Sequence, residues 1–429
     1  MKSSKLNKKL SCFILAGLLI VTLIPAAFAE DVLQWRNNRD GIYNETGLLK
    51  SWPDGGPKLL WANEDVGEGY SSPIIVKGKI YLTGIKDAGE FVSSYDLQGK
   101  QLWQTVYATG WTQTYPEART TPTFVEGKLY VISGDGVAAA VDSESGKLLW
   151  KSDVWNKYQG VFGKWGGAES PLVVDGKVIC TPTGEQTTMV ALNASDGALV
   201  WKTASLKAEG AYVSPALIEY KGKKQIIGVT SKDIFGVDPQ NGNIIWSFDY
   251  LGTFFENDAN RSRWVINCNT PVCKDDMIFV TSGYDHCGVM LQLNENATGV
   301  TMLWKTDVID THHGHVVLVD GYLYGSNWLN NNKGNWACID WKTGKKAYDK
   351  EWETKGSIIY ADGMLYCYEE KRGNIALVKA TPEDFKIISS FMIEKGSKTH
   401  WGHPVISNGV LYIRHGTALM AYDISESKN

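Results

Sequence analysis

Apolar and polar positions alternate along most of the chain, and residues 120–150, TTPTFVEGKLYVISGDGVAAAVDSESGKLLW, show the pattern most clearly. Short runs at 123–125, 128–133, 137–141 and 148–150 are separated by Glu126-Gly127, Gly134-Asp135-Gly136 and Ser145-Gly146. Period-two alternation of β-branched and aromatic residues, broken by Gly, Asp and Ser, predicts four short strands joined by tight turns. Four meandering strands make one blade of a propeller, so the next question is how often the unit recurs.

Self-comparison finds eight starts. A Ser/Thr-Pro step, an apolar strand and an x-Gly turn five residues past the proline recur at Pro73, Pro122, Pro171 and Pro404. Pro215 and Pro271 carry variants, one with a longer turn at 219–222 and one with Asp276 in the glycine position. Two copies at 316–321 and 358–363 keep the turn without the proline. Closing aromatics follow at Trp103, Trp150, Trp201, Trp246, Trp304, Trp352 and, more weakly, Phe391. The eighth closing residue is Trp61, which precedes every start, while the copy beginning at Pro404 has three strands and no fourth. An N-terminal strand that completes the last blade closes the ring and removes its open edge. The expected fold is therefore all-β, a single eight-bladed propeller of four antiparallel strands per blade over residues 58–429. Residues 30–57 precede it as a strap, and 253–265 form a polar insertion placed as a face loop.

The first strand of each blade lines the axis, so the residues before each Ser/Thr-Pro converge on one mouth of the channel. Three positions before the proline stand Tyr70, Arg119, Ala168, Tyr212, Cys268, His313, Lys355 and Trp401; two before stand Ser71, Thr120, Glu169, Val213, Asn269, Gly314, Gly356 and Gly402. The next position is mostly Ser or Thr, with His315 and His403 as exceptions. An architectural position tends toward one residue type, whereas this ring collects Arg, Lys, His, Glu, Tyr and Trp. Buried charges must be paired, hydrated or bound to a ligand, so the ring is a candidate site, with a channel of mutually paired groups as its alternative. Arg119 suits a ligand carboxylate or a pairing with Glu169. Glu169 suits a metal, a general base or that same pairing. His312, His313 and His315 are the densest imidazole cluster; alternation puts His313 and His315 on one face, and adjacent His312 and His313 reach one metal only from irregular backbone. Tyr212, Trp401, Tyr70 and Trp165 offer ring faces to a planar ligand or to packing.

Composition narrows the setting. The chain has 429 residues, 17 Trp and 44 Gly, which suits many tight turns and regularly placed aromatic packing. Lys2, Lys5, Lys8 and Lys9, an apolar run over 12–24 and Ala27-Phe28-Ala29 predict a signal peptide over 1–29, cleaved after Ala29. The run is short for a membrane span and no cysteine stands at the cleavage point, so neither an anchor nor a lipoprotein is expected. Losing four lysines takes the formal charge from −4 to −8. A mildly acidic chain with no basic run is a poor partner for nucleic acid or an anionic membrane. Six cysteines remain, with Cys268 and Cys273 alone near enough in sequence to suggest a bridge. No G-x-S-x-G, H-E-x-x-H or phosphate-binding glycine loop is present.

The repeats S-P-x-x-x-x-G-K-x-Y and D-x-x-x-G-K-x-x-W, with QWRNNRDG, RTTPT, WGGAESPL, THHGH and HPVISNGVLYIRHG, resemble the pyrroloquinoline-quinone-binding-like propeller superfamily. That group includes quinoprotein alcohol dehydrogenases and the propeller lipoprotein of the outer-membrane assembly machine. The resemblance implies a possible quinone with Ca²⁺ on the axis. It makes Glu169 similar to the metal glutamate, Asn267 or Asn269 to its asparagine, and Asp310 to the base, with Glu169, His313 and Asp310 as catalytic candidates. Three departures count against such an enzyme: no two cysteines are adjacent, histidines crowd the aspartate position, and the chain is shorter than the dehydrogenases, with little insertion to roof a cofactor. The expectation is a periplasmic or secreted monomer that binds a small molecule, a carbohydrate or a partner protein. Its site is drawn from Tyr70, Arg119, Trp165, Tyr212, Asn269, His312, His315, Lys355, Trp401 and His403. A quinone-dependent alcohol or sugar oxidoreductase is the alternative.

Overall fold

The computed structural model describes residues 31–255 and 266–426. The expected signal peptide and nearly all of the 253–265 insertion lie outside them. The eight blades form as expected, each from four antiparallel strands, which in the first seven run in sequence order from the axis outward. The second blade has strands Thr123–Val125, Lys128–Ile132, Val137–Asp142 and Leu148–Asp153. The last blade takes its outer strand from Lys58–Asn63, which pairs Leu59 with Tyr422 and Trp61 with Ala421. The ring is thus closed by one strand from near the start of the chain.

Alternation puts one apolar face of each blade against the next, and the cores lie between blades. The closing tryptophans fasten these contacts. Trp61 lies against Gly99 of the neighbouring blade, where an added Cβ would sit 2.6 Å from the indole, and its Nε1 donates to Leu97 O at 2.7 Å. Trp150 and Trp201 repeat the arrangement by donating to Ala194 O and Pro239 O at 3.0 Å. Each outer strand carries a bulge one residue before this position. The bulge corrects two assignments. In the sixth blade the equivalent residue is Tyr348, paired with Cys338, and Trp352 lies beyond the strand Lys346–Lys350, against Trp336. In the seventh it is Ser389, and Phe391 packs on the strap's Trp52 with ring centroids 5.0 Å apart. The bulged positions Leu60, Leu102, Leu149, Val200, Leu303 and Ile388 are all exposed. Bulges at an outer edge disturb the ladder there and discourage pairing with another strand.

The strap enters the channel. Val32 bridges Ile75 in the innermost strand of the first blade, and Ile42–Tyr43 adds a parallel strand to the axial side of the seventh. Between them Trp35 to Gly41 turns over inside the ring. Arg36 donates to Ile358 O and Val316 O, each at 2.8 Å, and Arg39 to Ser170 O, Pro171 O and Pro215 O on the opposite side. Burial pulls both guanidinium groups down to about 10. Arg36, Asn37 and Arg39 hold positive φ values of 51°, 57° and 69°, a strain tolerated where surrounding bonds over-determine the backbone. Gly41, at φ 77°, leaves room that a Cβ would take from Arg36 at 2.4 Å. All six cysteines of the described residues are unbridged, Cys268 and Cys273 included.

Candidate functional site

The Ser/Thr-Pro steps explain why the axial residues stand where they do. Ser72 N donates to Thr121 Oγ1 at 3.0 Å, and Thr121 N and Ser170 N donate to Ser170 Oγ and Ser214 Oγ at 2.9 Å. The small hydroxyls at Thr121, Ser170 and Ser214 thus tie one blade to the next around this part of the axis. Side chains two residues earlier share its face, because successive residues of extended chain point to opposite sides.

Above this belt lies a cavity of about 390 Å³. Seven of the eight residues three positions before the proline line it: Tyr70, Arg119, Ala168, Tyr212, Cys268, His313 and Trp401. Trp165, His312, His315 and His403 line it too. The rings adjoin one another: Trp401 lies 4.9 Å from Tyr70, 5.5 Å from Tyr115 and 4.7 Å from His313, and Trp165 lies 5.7 Å from Tyr212. Tyr284 meets His312 edge-on at 4.7 Å. Trp35, at the strap's tip, joins the lining from below, its ring 4.6 Å from His315 and 5.6 Å from His403. Burial holds His312, His315 and His403 well below the usual imidazole range, so each is neutral. His403 Nδ1 accepts from Arg36 at 3.1 Å.

Other expected residues point elsewhere. Glu169 does not pair with Arg119: its oxygens accept from Thr181 N at 3.0 Å and Thr181 Oγ1 at 3.2 Å inside the blade, and burial raises it to about 8. Asn269 donates to Thr281 O, Thr311 O and His312 O and accepts from His315 N, which makes it a clamp on the histidine turn. Asn267 donates to Thr230 O at 2.7 Å, and Asp310, raised to about 8 by burial, accepts from Trp328 N at 3.0 Å. None of these four lines the cavity. Arg119 does line it, but its guanidinium donates to the carbonyls of Trp165, Thr114 and Tyr115, so its charge is already solvated.

Lys355 reaches the site through a partner that repeat alignment does not show. Its Nζ lies 2.9 Å from Glu370 Oε1, and both side chains are almost fully buried. Glu370 Oε2 accepts from Trp401 Nε1 at 3.2 Å and stands 3.6 Å from His313 Nδ1. Burial pushes this carboxyl up, and His313 and Lys355 together more than offset that, leaving it below the ordinary range. Glu370 follows the strand Met364–Glu369 at its hairpin turn, and Tyr115 and Tyr284 also sit on loops.

A family profile described as outer membrane protein assembly factor BamB matches residues 88–350. The chain belongs to this family. Among curated BamB proteins it is 22% identical to that of Moranella endobia, over 60% of this chain and 63% of that protein. It is 21% identical to that of Yersinia pestis, over 65% and 67%. These matches span about two thirds of each relative's length. The fold is similar to the crystal structure of BamB from Moraxella catarrhalis, with a TM-score of 0.63 at 13% identity over 86% of this chain and 99% of that one. It is also similar to a europium-containing methanol dehydrogenase (TM-score 0.64, 12% identity, 90% of each chain). A third similar fold is the quinohemoprotein alcohol dehydrogenase of Comamonas testosteroni (0.62, 12%, 93% and 81%). Likeness at this identity is likeness of fold, and both binding proteins and dehydrogenases share it.

The residues present do not fit the quinone and Ca²⁺ that the sequence resemblance implies. A hard cation needs several converging oxygens, yet the oxygens of Glu169 and Asp310 and the side chains of Asn267 and Asn269 are turned into the blades. A quinone with three carboxylates needs several free cationic donors; those of Arg119 and Lys355 are occupied within the protein, which leaves Lys371 alone among the cations of the lining.

Proposed function

We propose that this BamB-family propeller is an exported binding protein whose axial pocket holds a small ring-bearing molecule, a carbohydrate or a planar aromatic. One observation carries the reading: Trp35, Tyr70, Tyr115, Trp165, Tyr212, Tyr284 and Trp401 wall a single 390 Å³ cavity, with few charges free among them. Aromatic walls give a ligand large contact area at little entropic cost, and a few fixed polar groups orient it. The floor is made by the strap, so a ligand enters from one face and stops at Trp35.

The test is a binding screen on the mature chain, with sugars and planar aromatics followed by tryptophan fluorescence and then by calorimetry. A saturating ligand whose affinity falls about two- to tenfold in Trp401→Ala is the expected result, given about 0.5–1.5 kcal/mol for a lost aromatic stack. Ligands that bind the variant and the parent equally would overturn it.

A second reading is a protein-interaction scaffold of the kind the relatives' name describes. It is favoured by the exposed aliphatic residues Leu60, Leu102, Leu149, Val200, Leu303 and Ile388 spaced around the outer rim. Crosslinking from cysteines placed at Leu102 and Leu303 distinguishes the two, because a pocket ligand leaves the rim unprotected.

A further inference from the structure

We propose that His312, His313 and Glu370 form a site for a divalent first-row transition ion of the Zn²⁺ class in the wall of the axial pocket. The inference stands apart from the ring-ligand reading, since it concerns three side chains and needs no organic molecule.

The three residues offer one ligand atom each, all within 4.8 Å of one another. His313 Nδ1 and Glu370 Oε2 are 3.6 Å apart, near the edge of about 3.4 Å that bonds of about 2.1 Å make in a tetrahedron. Neighbouring histidines of a regular strand diverge, but the chain from Thr311 to His315 is not strand, and His315 has φ 56°. The two rings therefore lie face over face, tilted by 34°, with centroids 3.4 Å apart. Gly314 makes this turn possible, because its Cα packs where a Cβ would stand 1.8 Å from Gly356 O.

The second observation is unmet bonding. Nδ1 of His312 is buried without a hydrogen-bond partner, and Nδ1 of His313 has Glu370 Oε2 near it at 3.6 Å, beyond hydrogen-bond length. Other buried imidazoles here do find partners: His403 with Arg36, His400 with Tyr368 at 2.5 Å, and His415 with the carbonyls of Lys395 and Lys398. An orphaned buried nitrogen requires an explanation, and a missing ion is one that fits both rings at once. Glu370 is held as ligating carboxylates are, one oxygen by Lys355 and the other by the Trp401 indole. Two imidazoles and one carboxylate favour Zn²⁺ and its neighbours over Ca²⁺ and leave a coordination position open toward the cavity.

The test uses the untagged mature chain, stripped with chelator and titrated with Co²⁺ alone, then Zn²⁺. The expected result is one equivalent of Co²⁺ with intense visible bands of low coordination number, displaced by Zn²⁺. Affinity should fall at least tenfold in both His312→Gln and His313→Gln, and Ca²⁺ should not compete. Thermal melts establish that the variants fold; if one does not, the other carries the comparison. No saturable binding, unchanged affinity in a folded histidine variant, or equal competition by Ca²⁺ would each overturn the site. Because no ring-bearing ligand is present, failure here leaves the pocket reading to its own screen.

Discussion

Gly314 decides how the histidines meet. A methyl group there would overlap Gly356 O, a backbone atom with nowhere to retreat, so Gly314→Ala should destabilise the chain by about 2–3 kcal/mol. A urea titration checks this through a lower midpoint at unchanged slope. The axial side chains obey an equally local rule. Positions three and one before each proline face the cavity, and the position between them faces the blade, so Trp401 and His313 reach the pocket while Glu169 and Asn269 do not. That outcome was legible in the strand period, and weighing all three positions alike obscured it. Glu370, Tyr115 and Tyr284 were not legible, because loop residues outside the repeat have no register to align.

At the scale of elements, repeat and closing strand could be read because each blade solves the same packing problem with the same turn and the same aromatic. Trp352 and Phe391 are not the closing residues because these two blades carry no tryptophan after the bulge, where Tyr348 and Ser389 hold the equivalent pairings. The strap is bound more deeply than the repeats around it indicate: Arg36 and Arg39 are buried cations whose donors go to blade carbonyls on two sides of the channel. Arg39→Ala should cost at least about 3 kcal/mol, since several charge-assisted bonds vanish and buried carbonyls lose their donors. Arg39→Lys should rescue little, because an ammonium cannot span Ser170, Pro171 and Pro215 as a planar fork does. Denaturant midpoints of the two variants make the comparison.

The whole molecule carries its buried acids into its pH response. Burial raises Glu90 to about 7, against donors from Gly134 N and Tyr107 and the nearby Arg119 charge, and raises Glu169 to about 8, against Thr181 and Arg39. A carboxyl raised on folding keeps its proton in the native state while the unfolded chain has released it. The native state thus binds more protons, and stability falls as pH rises toward 8. His312, His315, His400 and His403 are held neutral by burial but are partly charged in the unfolded chain near pH 6.5, which opposes the trend, so the window that reports on the carboxyls is about pH 7.5–8.5. Thermal melts across that window should show a declining midpoint, and Glu169→Gln should flatten the decline.

The pairing of Lys58–Asn63 with Ala418–Asp423 also governs the order in which the molecule can be born. The closing strand leaves the ribosome before the first blade, and its partner follows all the other blades in sequence. For nearly the whole of synthesis the strand has no ladder to join, and contacts this distant in sequence form slowly. A chain halted anywhere before Ala418 is therefore not a smaller propeller. It is an open arc with a bare sheet edge, an aggregation hazard until the final strands arrive.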